Sequence, residues 1–527
     1  MADFVIVGSG TAGCALAARL SADPCNSVLL LEAGPPTEAA LTRPPSRSTG
    51  LLFKSRWDWD LYSEPEPALN GRRNYLPRGR GLGGTSILNG MVHMRGLPLD
   101  YDEWAEELGL SGWSYDEVLP YFERSEGPGG RPSEDGSMSI DDGLYYPISE
   151  AWLGSAEASG YPLVADFNDG SDRDRVGRFK YTRSGGARST AADGYLRPIA
   201  GRPNLEIRTR ALATRILFDR GRASGVETAE QGELRRYRAD HEVILAAGAY
   251  NSPQILMLSG IGPAEHLSHL GIEVREDLPV GENLQDHHAA TIGFETDAMT
   301  SFSADTPEHR KRWELDGGGP VSGSVVQVGG FFRTEPGLPA PDIQTMTCAS
   351  TFLEEGLAEA RGDAYTMVVC GTRPFSRGRV RLRTAIPGTK VRVTHNQLSD
   401  PRDRESLIRG LRLNMKILRH EPIKSLLGSP IQVPVSESDA DLDDFVSRVG
   451  QGLYHPCGTC AMGKVLDAEL KVIGIEGLRV ADASAMPLIP RGNINAAIAM
   501  VAEKAASMLL DQSPGRPVSA SPEGGAR

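Results

Sequence analysis

Phe4-Val5-Ile6-Val7-Gly8-Ser9-Gly10-Thr11-Ala12-Gly13 opens the chain and runs on through Cys14 to Leu20. Ser27-Val28-Leu29-Leu30-Leu31-Glu32-Ala33-Gly34 follows. The order is strand, glycine turn, helix, strand, acid. Phe4 to Val7 is short and apolar, as a buried parallel strand is. Gly8 permits the tight turn, Gly10 lets the backbone approach a pyrophosphate, and Gly13 lets the helix lie close on the strand. The start of that helix, with Thr11 and Ala12 in its first turn, offers free N–H groups and a partial positive charge to phosphates. Glu32 comes nineteen residues after Gly13, at the end of the second strand. A carboxylate there accepts from ribose hydroxyls and disfavours a 2′-phosphate. The unit therefore predicts an adenine dinucleotide, FAD or NAD, and does not choose between them. A glycine-rich turn with no ligand is the bland alternative, disfavoured because strand, helix, second strand and acid all fall in place.

Working outward, 527 residues are enough for two or more domains. A net charge of −13 argues against nucleic acid or an anionic membrane surface as partner. No apolar run approaches the roughly eighteen residues that a membrane helix needs. The chain enters its first strand with no leader pattern, so a cytoplasmic location is expected. Cys14, Cys25, Cys348, Cys370, Cys457 and Cys460 are too few for a disulfide framework in so long a chain, and free thiols are expected.

The texture of the chain predicts an α/β fold: a Rossmann-like dinucleotide-binding domain with a second α+β domain built on an antiparallel sheet. Residues 1–290 form mainly the first domain, with 35–75 and 125–200 as excursions towards the substrate side. Leu205 to Arg210, Ala213 to Asp219, Gly225 to Thr228 and Tyr237 to Ala246 read as a β-rich series. The last of these runs through Ala247 and Gly248 into a helix ending at Leu258, a second strand–glycine–helix junction for the same sheet. Residues 291–450 read as the substrate domain, with strands at Val325 to Phe332, Tyr365 to Cys370, Val380 to Arg383 and Lys390 to Thr394, then a helix over Arg402 to Leu418. Residues 451–512 return to the first domain and end in a long helix from Asn493 to Leu510. Residues 513–527 read as a disordered tail.

His455 is the histidine of interest. It sits in Tyr454-His455-Pro456-Cys457-Gly458-Thr459-Cys460, where small, turn-forming neighbours let the ring project into a cavity. A structural role is the commoner fate of such a residue. Asn493 and Asn495 open the last helix and suit an N-cap, although a helix start also stabilises the negative charge of a reduced flavin. Cys457 and Cys460 have dithiol spacing but no thioredoxin-like or second-ligand context, so they read as packing residues and no metal site is expected. His287 and His288, after Asp286, read as a loop cap. No serine lies in a G-x-S-x-G elbow, which excludes the commonest hydrolase arrangement.

Together these motifs resemble the glucose–methanol–choline (GMC) oxidoreductases over nearly the full length. Gly8 to Gly13 with Glu32 and Ala33 looks like that family's FAD fingerprint. The run Arg78 to Gly90, containing Arg80, Gly83, Gly84, Thr85 and Asn89, looks like its first signature, and Gly248 to Gly262 like its second. Val280 to His287, His455 to Thr459, Leu478 to Met486 and Gly492 to Ala496 resemble its later blocks. The resemblance implies FAD, with Asn89 to Val92 (Gly90 and Met91 between) beside the isoalloxazine, and with Asp482, Ala483, Ala247, Gly248 and Asn493 as further cofactor contacts. Ala213 stands where the family uses a valine against adenine. His455 is implied as the base, and Asn495 as the residue that orients the substrate oxygen. Leu88 occupies the place of the histidine that bonds FAD covalently in some members, so the cofactor is expected to be non-covalent. The implied activity is oxidation of an alcohol to an aldehyde or ketone. A neutral primary alcohol or polyol is favoured, with oxygen, a quinone or another carrier as acceptor, in a monomer or homodimer. A hydroxynitrile lyase, a light-driven decarboxylase and a non-enzymatic flavin scaffold are the rival readings.

Overall fold

The computed structural model describes residues 1–46, 52–127 and 131–511. Ala2–Val7 lies at the centre of a parallel sheet, between Val28–Leu31 and Glu233–Leu245. Leu205–Arg208 extends the sheet beyond Val28–Leu31, and Leu478–Val480 extends it beyond Glu233–Leu245. Its central strands are buried on both faces, which is why they read as continuous apolar runs. Glu233–Leu245 is long enough to serve twice. Ala239 to Leu245 pairs with the first strand, while Glu233 to Arg238 pairs antiparallel with Arg222–Glu230, which in turn pairs with Leu212–Asp219.

Helix Thr11–Leu20 is buried at every position and packs on Asn495–Asp511. Both are rich in alanine, so their axes can approach closely. Gly13 is required on steric grounds, since a Cβ there would stand 1.8 Å from the Gly8 carbonyl oxygen. Within this apolar contact lies one ion pair. Arg19 donates to Glu503 from Nε at 2.7 Å and from Nη2 at 2.8 Å, and both side chains are buried.

The second sheet is antiparallel except at one edge. In order it contains Pro430–Gln432, His288–Glu295, Ala364–Gly371, Ile343–Cys348, Val326–Phe332, Arg175–Arg178 and Leu163–Val164, with Gln451–Gly452 also pairing to His288–Glu295. Alternation sorts its two faces. Met367 and Val369 pack with Leu407 and Leu411 of helix Pro401–Ile417. Met346, Cys348 and Val368 face the other way, against Met91, Val92 and Leu453. Among the described residues, two of its eight strands, Val326–Phe332 and Ala364–Gly371, match the sequence reading, and the other six escaped it. The strands expected at Val380 to Arg383 and Lys390 to Thr394 lie outside this sheet, as a separate ribbon of Arg379–Arg381 with Arg392–Thr394. Ile343–Cys348 alternates with threonines that are themselves buried, so it lacks a polar face. Leu163–Val164 and Arg175–Arg178 are too short to register, and they bring part of the 125–200 excursion into the substrate-side sheet. Among the described residues no helix is long and apolar enough to cross a membrane. The expected tail over 513–527 lies outside the described residues.

Glu503→Gln leaves the Arg19 guanidinium buried without its counter-charge. A loss of roughly 3–5 kcal/mol is expected, measured by urea unfolding of the cofactor-free protein. A negligible change would mean that the pair adds nothing to the helix contact.

Candidate active site

One cavity takes its walls from both sheets. Gly8, Gly10, Thr11, Ala12, Glu32, Ala33, Gly84, Thr85, Asn89, Gly90, Met91, Val92, Ala213, Ala247, Gly248, Asp482, Ala483, Asn493, Asn495 and His455 all line it. Gly13, Arg80 and Gly83 do not. Gly13 spaces the helix from its strand, the Arg80 guanidinium lies 5.0 Å from the ring centre of Trp59, and the Gly83 N–H donates to the Ser9 carbonyl at 2.9 Å.

The backbone around the first turn fits a dinucleotide. A Cβ on Gly10 would meet no protein atom within 4 Å, and the same holds for Gly248, so both glycines leave open space towards the cavity. No side chain caps the helix that starts after Gly10, which leaves its first N–H groups free for phosphate oxygens. Gly84 closes over the turn so tightly that a Cβ on it would stand 2.5 Å from the Gly10 Cα. The Glu32 carboxylate accepts from the Ser9 N–H at 3.0 Å, the Ser9 hydroxyl at 2.6 Å and the Gly34 N–H at 2.7 Å. These bonds fix its direction, while burial holds its pKa above the usual range. The Asp482 carboxylate accepts from the Gly248 N–H at 2.8 Å and the Ser252 hydroxyl at 2.5 Å, tying the second glycine junction to the C-terminal block. Arg188, which no sequence motif marked, donates from Nη1 to the Asn89 carbonyl at 2.6 Å and to its Oδ1 at 2.7 Å. Asn89 Oδ1 also accepts from the Met91 N–H, across a left-handed turn at Met91 (φ 63°).

His455 is carried on a loop stitched to residues 285–287. The Cys457 N–H donates to the Gln285 carbonyl and the Gln285 N–H to the Cys457 carbonyl, at 3.0 and 3.1 Å, and the Leu453 N–H donates to the His287 carbonyl. The His455 N–H donates to Asp286 Oδ1 at 2.8 Å. This stitching sets the His287 and His455 rings edge to face, with the two Nδ1 atoms 2.9 Å apart. His287 and His288 are therefore no loop cap, and no local pattern could have shown it, because the contact spans 168 residues.

The expected partnership of His455 with Asn495 gives way to one with Asn493, whose Nδ2 lies 3.0 Å from His455 Nε2. Asn495 begins the last helix and turns the other way, its Oδ1 accepting from the Thr11 hydroxyl at 2.7 Å. Two asparagines so close in sequence look alike until the helix start is located, and that start sends them to different neighbours. Burial, then His287, then Arg78, push the His455 imidazolium well below its usual range, so the ring is neutral. Burial, then His288, lower His287 to about 3. Burial raises Asp286 to about 6. Cys457 and Cys460 are buried free thiols pushed upward by desolvation, inert as nucleophiles.

The family model for GMC oxidoreductases matches residues 2–289 with its N-terminal part and residues 374–502 with its C-terminal part. An oxygen-dependent choline dehydrogenase of Rhizobium etli is 39% identical over 97% of this chain and 96% of its own. The mitochondrial choline dehydrogenase of Mus musculus is 38% identical over 96% of this chain and 89% of its own. Among solved structures, a pyridoxine 4-oxidase from Mesorbium loti superposes with a TM-score of 0.88 at 29% identity, covering 97% of this chain and 100% of that one. A formate oxidase superposes at 0.89 with 28% identity, covering 96% and 98%.

The two glycines of the first turn separate binding from folding. Gly10→Val projects into open cavity space, so the apoprotein is expected to keep its melting temperature and lose its flavin absorbance. Gly13→Ala collides with the Gly8 carbonyl and is expected to lower the melting temperature itself. Equal effects on both measurements would refute this division.

Proposed function

The chain belongs to the GMC oxidoreductase family and is an FAD-dependent enzyme that oxidises alcohols, and from that premise we propose that His455 is its base and Asn493 its substrate-orienting residue. The observation that carries this reading is the approach of Asn493 Nδ2 to His455 Nε2 on the cavity wall. An amide nitrogen only donates, so Nε2 of the neutral imidazole presents a lone pair. A substrate hydroxyl can bridge the two groups, accepting from Asn493 and giving its proton to His455. FAD, when bound, supplies the acceptor for the hydride. The backbone at Gly8 to Ala12 and at Gly84 and Thr85 would hold its pyrophosphate, Glu32 its ribose, and the segments Asn89 to Val92 and Asp482 to Ala483 its isoalloxazine.

The cavity walls favour a neutral alcohol with an apolar body. Among the described residues, the carboxylates that line the cavity are Glu32 and Asp482, and both are held by the hydrogen bonds given above. The same wall carries Met346, Cys348, Phe352, Val368 and Leu453, which pack in one apolar cluster. Among the described residues the cationic side chain on the cavity wall is Arg78, whose Nη2 donates to the Tyr454 carbonyl at 2.7 Å. A quaternary ammonium alcohol would meet this cation on the wall, while Asp286, the carboxylate that feels Arg78, lies off the wall and is engaged by the His455 N–H, an arrangement that low-dielectric surroundings make costly for a second cation. Leu88 offers no nucleophile, so FAD is held without a covalent bond. Oxygen or a quinone carrier as acceptor, a monomer or homodimer, and a cytoplasmic location complete the reading.

Four outcomes are expected. Anaerobic flavin bleaching should run faster with benzyl alcohol or 1-hexanol than with choline, and preference for choline would sink the neutral-substrate reading. His455→Ala should keep flavin and slow its reduction roughly 10²–10⁴-fold. A normal rate in that variant would remove His455 as base. Because its pKa is depressed, the base stays unprotonated as pH falls through about 6.5, the ordinary imidazole value. Flavin reduction should therefore show no acid limb at or above that pH. Denaturation in acid should release all the FAD into the supernatant.

A further inference from the structure

His287 lies outside the cavity wall, fully buried, and its Nε2 has no hydrogen-bond partner. Its Nδ1 approaches His455 Nδ1 at 2.9 Å, and the backbone at Thr372 and Pro490 also acts on the ring. Two imidazole nitrogens at that distance must share one proton, since two lone pairs or two N–H groups would repel. Asn493 decides where the proton sits. Its Nδ2 donates to His455 Nε2, so the His455 proton is on Nδ1 and points at the Nδ1 lone pair of His287. The remaining His287 proton is then on Nε2.

We propose that His287 is a positioning residue for the base: by accepting from His455 Nδ1–H it holds His455 in the tautomer whose Nε2 is free to take the alcohol proton. The role matches that of the carboxylate behind the histidine of a hydrolytic triad, played here by a neutral ring. A carboxylate would stabilise the imidazolium and strengthen the base. A second imidazole orients the first while leaving it weakly basic. During turnover the alcohol proton goes to His455 Nε2 and the Nδ1 proton stays where it is, now in a charge-assisted hydrogen bond to His287. No transfer onto His287 is required.

The other charged and titratable groups around the pair are accounted for. His288 is next in sequence, with its Nε2 3.6 Å from Asp403. Arg491 is ion-paired with Asp100. Arg78 is engaged with the Tyr454 carbonyl. Asp286 meets the backbone N–H of His455 rather than its ring. Each can shift the level at which the pair titrates, but none of their recorded contacts reaches His455 Nδ1.

The inference rests on His455 being the base, and the experiment separates the two claims. The holoenzyme is labelled with ¹⁵N-histidine, and the His455 signal is identified by its loss in His455→Ala. At pH 7 the wild type should show a protonated Nδ1 and a bare Nε2. His287→Leu should lose that single tautomer, and His287→Asn should keep it, because the δ oxygen of asparagine stands where the histidine Nδ1 stands. Anaerobic reduction by benzyl alcohol should slow about 10–100-fold in the leucine variant and recover in the asparagine variant. His287→Asp should move the acid limb of the rate upward by about one to three pH units, as a new adjacent carboxylate does, which a purely structural role would not do. A bare Nδ1 in the wild type, or an unchanged tautomer in His287→Leu, overturns the proposal. A slow His455→Ala with a fast His287→Leu overturns it while leaving the base in place, and a fast His455→Ala removes the base itself.

Discussion

The contact between the first helix and the last holds the rest in place. Thr11 meets Asn495 and Arg19 meets Glu503 across 484 residues of sequence. Small side chains let the two helices close on each other, and the closure sets the C-terminal block against the opening glycine turn. Everything chemical follows from that seam. It puts Asn493 two residues before the last helix, where the chain is still free to point at His455, and it leaves the first helix start uncapped towards the cavity. The ion pair sits inside an apolar contact, where Glu503 also meets Arg124 Nε at 3.3 Å.

A second constraint is desolvation. His287 and His395 are buried and His455 is partly buried at the cavity wall, and all three are held below the ordinary imidazole range, desolvation being the largest cause in each case. A neutral imidazole is a proton acceptor whose competence depends on which nitrogen bears the hydrogen, and that is a matter of neighbours rather than of pH. The geometry around His455 supplies a donor on one side and an acceptor on the other, so the ring has one orientation and one tautomer. The same dry surroundings make the Arg78 charge more strongly felt in the substrate region than it would be in water.

The sequence was informative wherever a local rule operates. The βαβ unit is legible because a glycine turn between apolar strands is a local device, and Glu32 lies where the end of the second strand must place it. The glycine-rich run through Gly84 and Asn89 is legible for the same reason, and the buried strands from Val326 and Ala364 show as apolar runs. What was hidden is what depends on long-range juxtaposition. Arg188 is reached from Asn89 only after the 125–200 segment has wrapped back. His287 faces His455 only because Gln285 and Cys457 pair as adjacent backbone strands. Asn493 and Asn495 were both marked, and it is Asn493 rather than Asn495 that reaches His455, because side-chain direction at a helix start depends on where the first turn begins. Ile343–Cys348 was missed because its threonines are buried against a second layer and its alternation carries no polar signal.

Neither sheet is made from one continuous stretch of chain. The parallel sheet takes strands from residues 2–7, 28–31, 205–208, 233–245 and 478–480, and its covering helix begins at Asn495. The substrate-side sheet spans residues 163 to 452. During synthesis the phosphate turn therefore emerges hundreds of residues before the helix that covers it. With domains folding as units and translation running at about 5–20 residues per second, the apolar faces of the opening helix wait tens of seconds for their partner. For that interval the nascent chain carries an incomplete cofactor cradle, with the phosphate turn made and the helix that closes over it still to come.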